Sequence, residues 1–152
     1  MIVNDSMTKY MAAETLPTQI ELEIVTPDHL VVQATVTGVT IPGKSGYLGI
    51  LPGHAPLLSE IVPGVIAYVQ DNVTYYLTVS WGFVEVLADR VVVLAQTAER
   101  AEEIDTVRAE AARERAEERL KEYSDVSLDR ERAREALAKA IARLETARHA
   151  KG

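Results

Sequence analysis

Gly38-Val39-Thr40-Ile41-Pro42-Gly43-Lys44-Ser45 fits the phosphate-cradling pattern G-x-x-x-x-G-K-S letter for letter. A working loop of this kind follows a strand and opens a helix whose N-terminal amides face the phosphates. Val39, Thr40 and Ile41 are strand formers, and Gly46, Gly49, Pro52 and Gly53 oppose a helix after Ser45. The stretch therefore reads as a strand end and a loop, which sets aside an autonomous NTPase. The three histidines, His29, His54 and His149, are scattered, with neither the spacing of a metal pair nor a hydrolase context around them. His54 sits in Leu51-Pro52-Gly53-His54-Ala55-Pro56-Leu57-Leu58, a proline-bracketed loop where a contact or structural role is expected rather than catalysis.

A second cluster has more chemical promise. Ile104-Asp105-Thr106-Val107-Arg108-Ala109 opens a helical stretch, and Arg132 and Lys139 lie on a later one. Basic groups from two facing helices can hold phosphates, arginine doing so through a planar donor fork. The competing reading is an Asp105–Arg108 ion pair at i,i+3, which the spacing alone favours. Runs such as Arg113-Glu114-Arg115 and Arg130-Glu131-Arg132 read as solvated helix faces. Trp81, the only tryptophan, is expected to pack over the edge of the β domain, with a contact anchor as the alternative.

The elements that position these residues fall into two halves. Ile20-Glu21-Leu22-Glu23-Ile24 alternates, so Ile20, Leu22 and Ile24 share a buried face. Val31 to Ile41 reads as one strand ended by Pro42-Gly43. Val65–Gln70 and Val73–Val79 flank Asp71-Asn72, a pair that tolerates positive φ and suits a hairpin. Phe83–Leu87 and Val91–Gln96 flank Ala88-Asp89-Arg90. Short strands with frequent turns and no helix between them imply an antiparallel sandwich or barrel.

Beyond Gln96 glycine and proline vanish until Gly152, and Ala, Glu and Arg dominate. The break at residues 123–127 predicts two helices, about Ile104–Glu122 and Leu128–Arg148, with Ser127 as N-cap of the second. Ala133, Leu137, Ala140, Ile141 and Leu144 form the apolar stripe of the second helix. The stripe of the first is thinner: Ile104, Val107, Ala111, Ala112, Ala116 and Leu120. Burying a leucine gains about 1.5–3 kcal/mol and an alanine methyl much less, so this hairpin is expected to detach without unfolding the β domain. The expected fold class is α+β: residues 1–17 a mobile leader, 18–97 an antiparallel β-sandwich, and 98–152 an antiparallel helical hairpin.

Composition narrows the function classes. The 152 residues are 47% apolar and 26% charged, with net charge −7 and basic residues intermixed with acidic ones, so nucleic-acid binding has little support. No cysteine is present, which excludes disulfides and zinc–cysteine sites and fits a reducing compartment, where the sequon Asn72-Val73-Thr74 is irrelevant. No apolar run is long enough to span a bilayer, and Met1 to Pro17 lacks a secretory or transit pattern. A cytosolic chain that can dock on a membrane complex is expected.

Gly46-Tyr47-Leu48-Gly49-Ile50-Leu51-Pro52-Gly53-His54-Ala55-Pro56-Leu57-Leu58 and Trp81-Gly82-Phe83-Val84-Glu85-Val86 resemble the ε-subunit family of bacterial F-type ATP synthases. Ala98 to Ala109 and Ala138-Lys139-Ala140 extend the resemblance to everything from Ile20 onward. It implies a non-catalytic central-stalk subunit with no cofactor. Its sandwich would bind the γ subunit and the c-ring, through Lys44, Ser45, Gly46, Tyr47 and His54. Its hairpin would fold beside the sandwich or extend into the α/β catalytic head to inhibit hydrolysis. It further implies regulatory ATP on the folded hairpin through an I/L-D-x-x-R-A motif, with Glu99, Asp105, Arg108, Arg132 and Lys139 as the site residues. Lys139 stands where nucleotide-binding relatives look to have arginine, Tyr47 where a polar or acidic residue is expected, and Trp81 where relatives often carry a small residue. The implied location is peripheral, on the cytoplasmic face of the bacterial inner membrane. The competing class is an unrelated β-sandwich binding module with a coiled-coil tail.

Overall fold

The computed structural model describes residues 16–122 and 128–150. The expectations for the leader and for Ser127 as a cap fall mostly or wholly outside them. Eight strands come first: β1 (Ile20–Val25), β2 (Leu30–Val36), β3 (Gly38–Gly43), β4 (Gly46–Ile50), β5 (Leu57–Ile61), β6 (Gly64–Gln70), β7 (Val73–Val86) and β8 (Arg90–Arg100). A 3-10 turn (Ala101–Glu103) leads into α1 (Thr106–Glu122), and α2 (Leu128–Ala147) returns beside it.

The strands form one continuous ladder in the order β2-β1-β8-β7-β5-β3-β4, with β6 pairing to both β3 and β7. Pairing is antiparallel except between β1 and β8, which run parallel. The ladder folds over itself around Ile20, Leu22, Ile24, Ile41, Ile50, Ile61, Ile66, Leu77 and Val84, all at most 2% exposed. The alternation read in Ile20–Ile24 holds: its three apolar residues are fully buried and pair against β2. The hairpin at Asp71-Asn72 holds too. Both residues have positive φ, 50° and 63°, as a tight two-residue turn between right-twisted strands requires.

Three strand expectations change. Val31–Ile41 is two strands, because Val32, Ala34 and Val36 point inward and then Val39 and Ile41 do, a shift in parity across Thr37-Gly38. Thr37 donates its amide to the Val69 carbonyl at 2.9 Å at that joint. Conversely, Val73–Val79 and Phe83–Leu87 belong to one strand. The first half of β7 pairs with β6 and the second with β5. The inward set switches from Leu77 and Val79 to Val84 and Val86. Gly82 stands at the switch, where a Cβ would lie 1.8 Å from the Leu94 carbonyl oxygen, so only glycine lets β7 and β8 approach there. Finally, β8 does not stop at Gln96 but continues to Arg100.

The hairpin lies against the sandwich through α2, which touches β6 and β7. Ala109 and Ala116 of α1, and Ala133, Ala140, Ala142 and Thr146 of α2, are its buried residues. The expected stripes hold at Ile104, Ala116, Ala133 and Ala140, which are buried, and fail at Val107 and Ile141, 81% and 45% exposed. The fully buried hairpin positions are thus mostly alanines, while Leu120, Leu137 and Leu144 are half-buried.

Candidate functional site

The phosphate-loop match is a β-hairpin. Gly38–Gly43 is β3, Lys44-Ser45 is the turn and β4 begins at Gly46, whose φ is 127°. Lys44 Nζ reaches Glu60 Oε2 at 2.7 Å, and its amide donates to the Glu60 carbonyl at 3.0 Å. Hydrogen bonding to Glu60, reinforced by its charge, raises the Lys44 ammonium above its ordinary 10.5. The Tyr47 hydroxyl accepts the Val65 amide at 3.2 Å, leaving the ring 59% exposed.

His54 lies beyond the other end of β4, its Nδ1 2.6 Å from the Ala55 carbonyl. That loop is tied to the β7–β8 turn by the Gly53 amide, which donates to Ala88 at 2.8 Å. The candidate contact residues are thus not one patch. Lys44, Ser45, Gly46 and Tyr47 gather at one end of β4 and His54 at the other, separated by about 16 Å of strand at 3.3 Å per residue.

On the hairpin the candidate nucleotide residues divide in a similar way. Asp105 caps α1: its Oδ1 accepts the Arg108 backbone amide at 3.0 Å, and its carbonyl accepts the Ala109 amide at 3.0 Å. The i,i+3 ion pair suggested by the spacing does not form. The carboxylate satisfies an orphan helix amide instead, and the Arg108 side chain is exposed. This start of α1 lies level with the end of α2, since Thr106, Glu110 and Arg113 line a groove of about 480 Å³ with Leu144, Glu145 and Arg148. Lys139 is half-buried in the C-terminal half of α2.

Arg132 is at the far end, beside Arg130, whose guanidinium donates to the Leu120 carbonyl. About 20 Å of helix at 1.5 Å per residue separates it from Glu145, so the structure does not bring Arg132 to Asp105 and Arg108. Its near neighbour is Asp129, at 3.9 Å.

Glu99 meets a residue the sequence reading missed. Arg143 of α2 pairs with it: Nη2 donates to Oε2 at 3.1 Å, and Nε stands 2.9 Å from Oε1 as an ion-pair contact outside hydrogen-bond alignment. The Arg143 side chain is 16% exposed and that of Glu99 30%. The available signal was spacing: Arg143 is one helical turn beyond Lys139 and shares its face. A second contact closes the same end of the hairpin, where His149 stacks on Tyr76 of β7 with ring centroids 3.8 Å apart and planes 9° from parallel. Among the described residues no three His, Cys, Asp or Glu side chains gather as a metal site, and no helix is long and apolar enough to cross a membrane.

Comparison with known proteins agrees with this two-part organisation. Residues 19–101 match the family model of the ATP synthase delta/epsilon chain β-sandwich domain, and residues 102–148 match that of its long α-helix domain. The ATP synthase epsilon chain of Koribacter versatilis is 58% identical over 100 residues, covering 66% of this chain and 70% of the relative. That of Moorella thermoacetica is 47% identical over 129 residues, covering 84% and 96%. Among solved structures, a chain of the Euglena gracilis mitochondrial ATP synthase OSCP/F1/c-ring assembly superposes with TM-score 0.78. It is 23% identical and covers 98% of this chain and 97% of its own. A chain of the Tetrahymena thermophila mitochondrial ATP synthase central stalk and c-ring gives 0.54 at 14% identity, covering 84% and 96%. With both domain models matched in order and near-full-length relatives at such identity, the chain belongs to the epsilon-chain family of ATP synthase.

Proposed function

We propose that this chain is a non-catalytic central-stalk subunit that couples γ to the c-ring during proton-driven ATP synthesis, and that its hairpin is a brake on ATP hydrolysis. The observation that carries this reading is the seam between hairpin and sandwich. It is made by α2 against β6 and β7, a helix whose buried residues are three alanines and one threonine, together with one ion pair between Arg143 and Glu99 and one ring stack. An interface of that kind opens at modest cost while the sandwich keeps its own core. The hairpin can then leave β6 and β7, extend along γ and enter the α/β head.

Fold likeness to chains from c-ring and central-stalk assemblies supports the stalk placement. The separation of the Lys44–Tyr47 end of β4 from the His54 end suits contact with two partners, γ and the c-ring. The complex would hold the subunit peripherally at the cytoplasmic face of the bacterial inner membrane.

The deciding experiment is ATP hydrolysis by the cognate F1 depleted of this subunit, with full-length chain added back in parallel with a chain ending at Glu103. That cut keeps all of β8 and removes both helices. Inhibition by the full chain alone supports the brake. Equal inhibition by both places the effect in the sandwich, and binding of neither to γ sinks the assignment to the stalk.

We also propose regulatory ATP as a ligand of the docked hairpin, held at the level of Asp105, Arg108 and Lys139, with Glu99 adjoining. Arg132 is left out of that set by its distance along α2. A ligand selective for the docked form stabilises it by mass action. No rise in the hairpin's melting temperature at millimolar ATP sinks this part of the reading.

A further inference from the structure

Between the outer face of the sandwich and the first turns of α2 lies a cleft of about 820 Å³, a size that accommodates small organic ligands. Its floor is apolar but open to water. Trp81 and Phe83 of β7 and Leu94 of β8 line it, Phe83 50% and Leu94 54% exposed. Its other wall is acidic, formed by Glu131 and Glu135 of α2. Lys44 and Glu60 reach the rim but neutralise each other at 2.7 Å. Glu131 and Glu135 form no ion pair among the described residues and stand at i,i+4, an arrangement that costs a few tenths of a kcal/mol for like charges. The cleft thus offers an aromatic floor beside two exposed carboxylates that no described cation pairs with.

A cation with an apolar body answers both features. Its charge offsets the carboxylate pair, its body covers Phe83 and Leu94, and an aromatic face attracts it further. We propose that this cleft is a binding site for an aromatic or alkylated organic cation, seated over Trp81 and Phe83 with its charge toward Glu131 and Glu135. Because one wall belongs to the sandwich and the other to the hairpin, the site exists only while α2 is docked. Its occupant therefore favours the docked form. This site is separate from the Asp105–Arg108 end of the hairpin and rests only on the docked geometry.

Trp81 is the sole tryptophan and lines the cleft, so its fluorescence reads occupancy in the full-length chain. The probes are tetraphenylphosphonium and tetraphenylborate, alike in shape and opposite in charge. Saturable quenching by the phosphonium is expected, with Kd at least about ten-fold below that of the borate, as cation–π and Coulomb attraction acting together imply. The double variant Glu131→Gln/Glu135→Gln should lose most of that preference, while Glu114→Gln on α1 should keep it. Equal quenching by both ions, or an unchanged preference in the double variant, overturns the proposal. Both glutamates are exposed, and helical circular dichroism of the double variant verifies that it folds. Amide exchange across Leu128–Ala147 should slow with phosphonium bound, and saturable binding without that slowing overturns the link to docking. An ATP-independent outcome leaves the nucleotide reading untouched, so the two fail separately.

Discussion

Glu99, next to the end of the last strand, accepts a hydrogen bond from Nη2 of Arg143, in the final helix, at 3.1 Å, and the Arg143 Nε lies 2.9 Å from its other oxygen. They lie 44 positions apart in the chain, and their pairing spans the joint between sandwich and hairpin. Removing one partner leaves a mostly buried charge facing a neutral group. Glu99→Gln should therefore weaken docking by about 1–3 kcal/mol, less than for a fully buried pair because Glu99 retains some solvent. Amide exchange in α2 should accelerate accordingly while that in β1 stays protected. Uniform acceleration in both would mean that the pair supports the whole fold rather than the joint.

Asp105 is a helix cap in this structure, which separates two roles that sequence alone leaves tangled. Asp105→Ala should cost α1 about 1 kcal/mol, and Asp105→Ser, which can still accept the Arg108 amide, much less. If ATP stabilises the chain through the Asp105 charge, the serine variant loses the ATP-dependent thermal shift while keeping its ligand-free stability. Loss of both properties together would make the cap the whole explanation.

Gly82 should tolerate no side chain. A Cβ there meets the Leu94 carbonyl oxygen at 1.8 Å, so Gly82→Ala must force β7 from β8, at a cost above about 4 kcal/mol on the scale of severe core mutations. Denaturant unfolding of the sandwich measures it. Gly49→Ala, with nothing within 4 Å of its added methyl, is the matched comparison and should change stability by less than about 1 kcal/mol.

Lys44 should titrate above 10.5 because Glu60 favours its charged form, by hydrogen bond first and by charge second. The sign follows from linkage: a raised lysine pKa means that the attraction is fully present below 10.5 and lost as pH climbs through the folded value. NMR titration of the Lys44 side chain should show this midpoint, and Glu60→Gln should return it toward 10.5. The pair is largely exposed, 69% at Lys44 and 48% at Glu60, so melting temperature at neutral pH should hardly respond.

Much of this architecture was legible where side chains differ sharply. Alternation in Ile20–Ile24 and the Asp71-Asn72 turn specify their strands, and the loss of glycine and proline after Gln96 marks the helices. The β4 and β5 strands were missed because Gly46, Gly49, Pro52 and Pro56 mask them, and of their six apolar residues only Ile50 and Ile61 are fully buried. Parity shifts at Thr37-Gly38 and Gly82 are set by pairing with distant strands, so local pattern misplaced those boundaries. On the hairpin, alanine gives too little contrast to fix a face, which is why Val107 and Ile141 were assigned inward. The same difficulty hid Arg143, which looks in sequence like any solvated arginine and acquires its partner only when α2 folds back on β8.

The strand β7 runs unbroken through 14 residues, with β6 beside its first half and β5 beside its second. A pull on one face of the sandwich is therefore carried to the other along continuous backbone rather than across side-chain contacts. Neighbouring strands would have to shear past it rather than unzip bond by bond. For a stalk subunit of the kind proposed above, this would make the sandwich a stiff washer and leave compliance to the joint with the hairpin. Stretching the chain between Ile20 and Arg100 should accordingly meet high resistance, while a load on Arg148 releases the helices first.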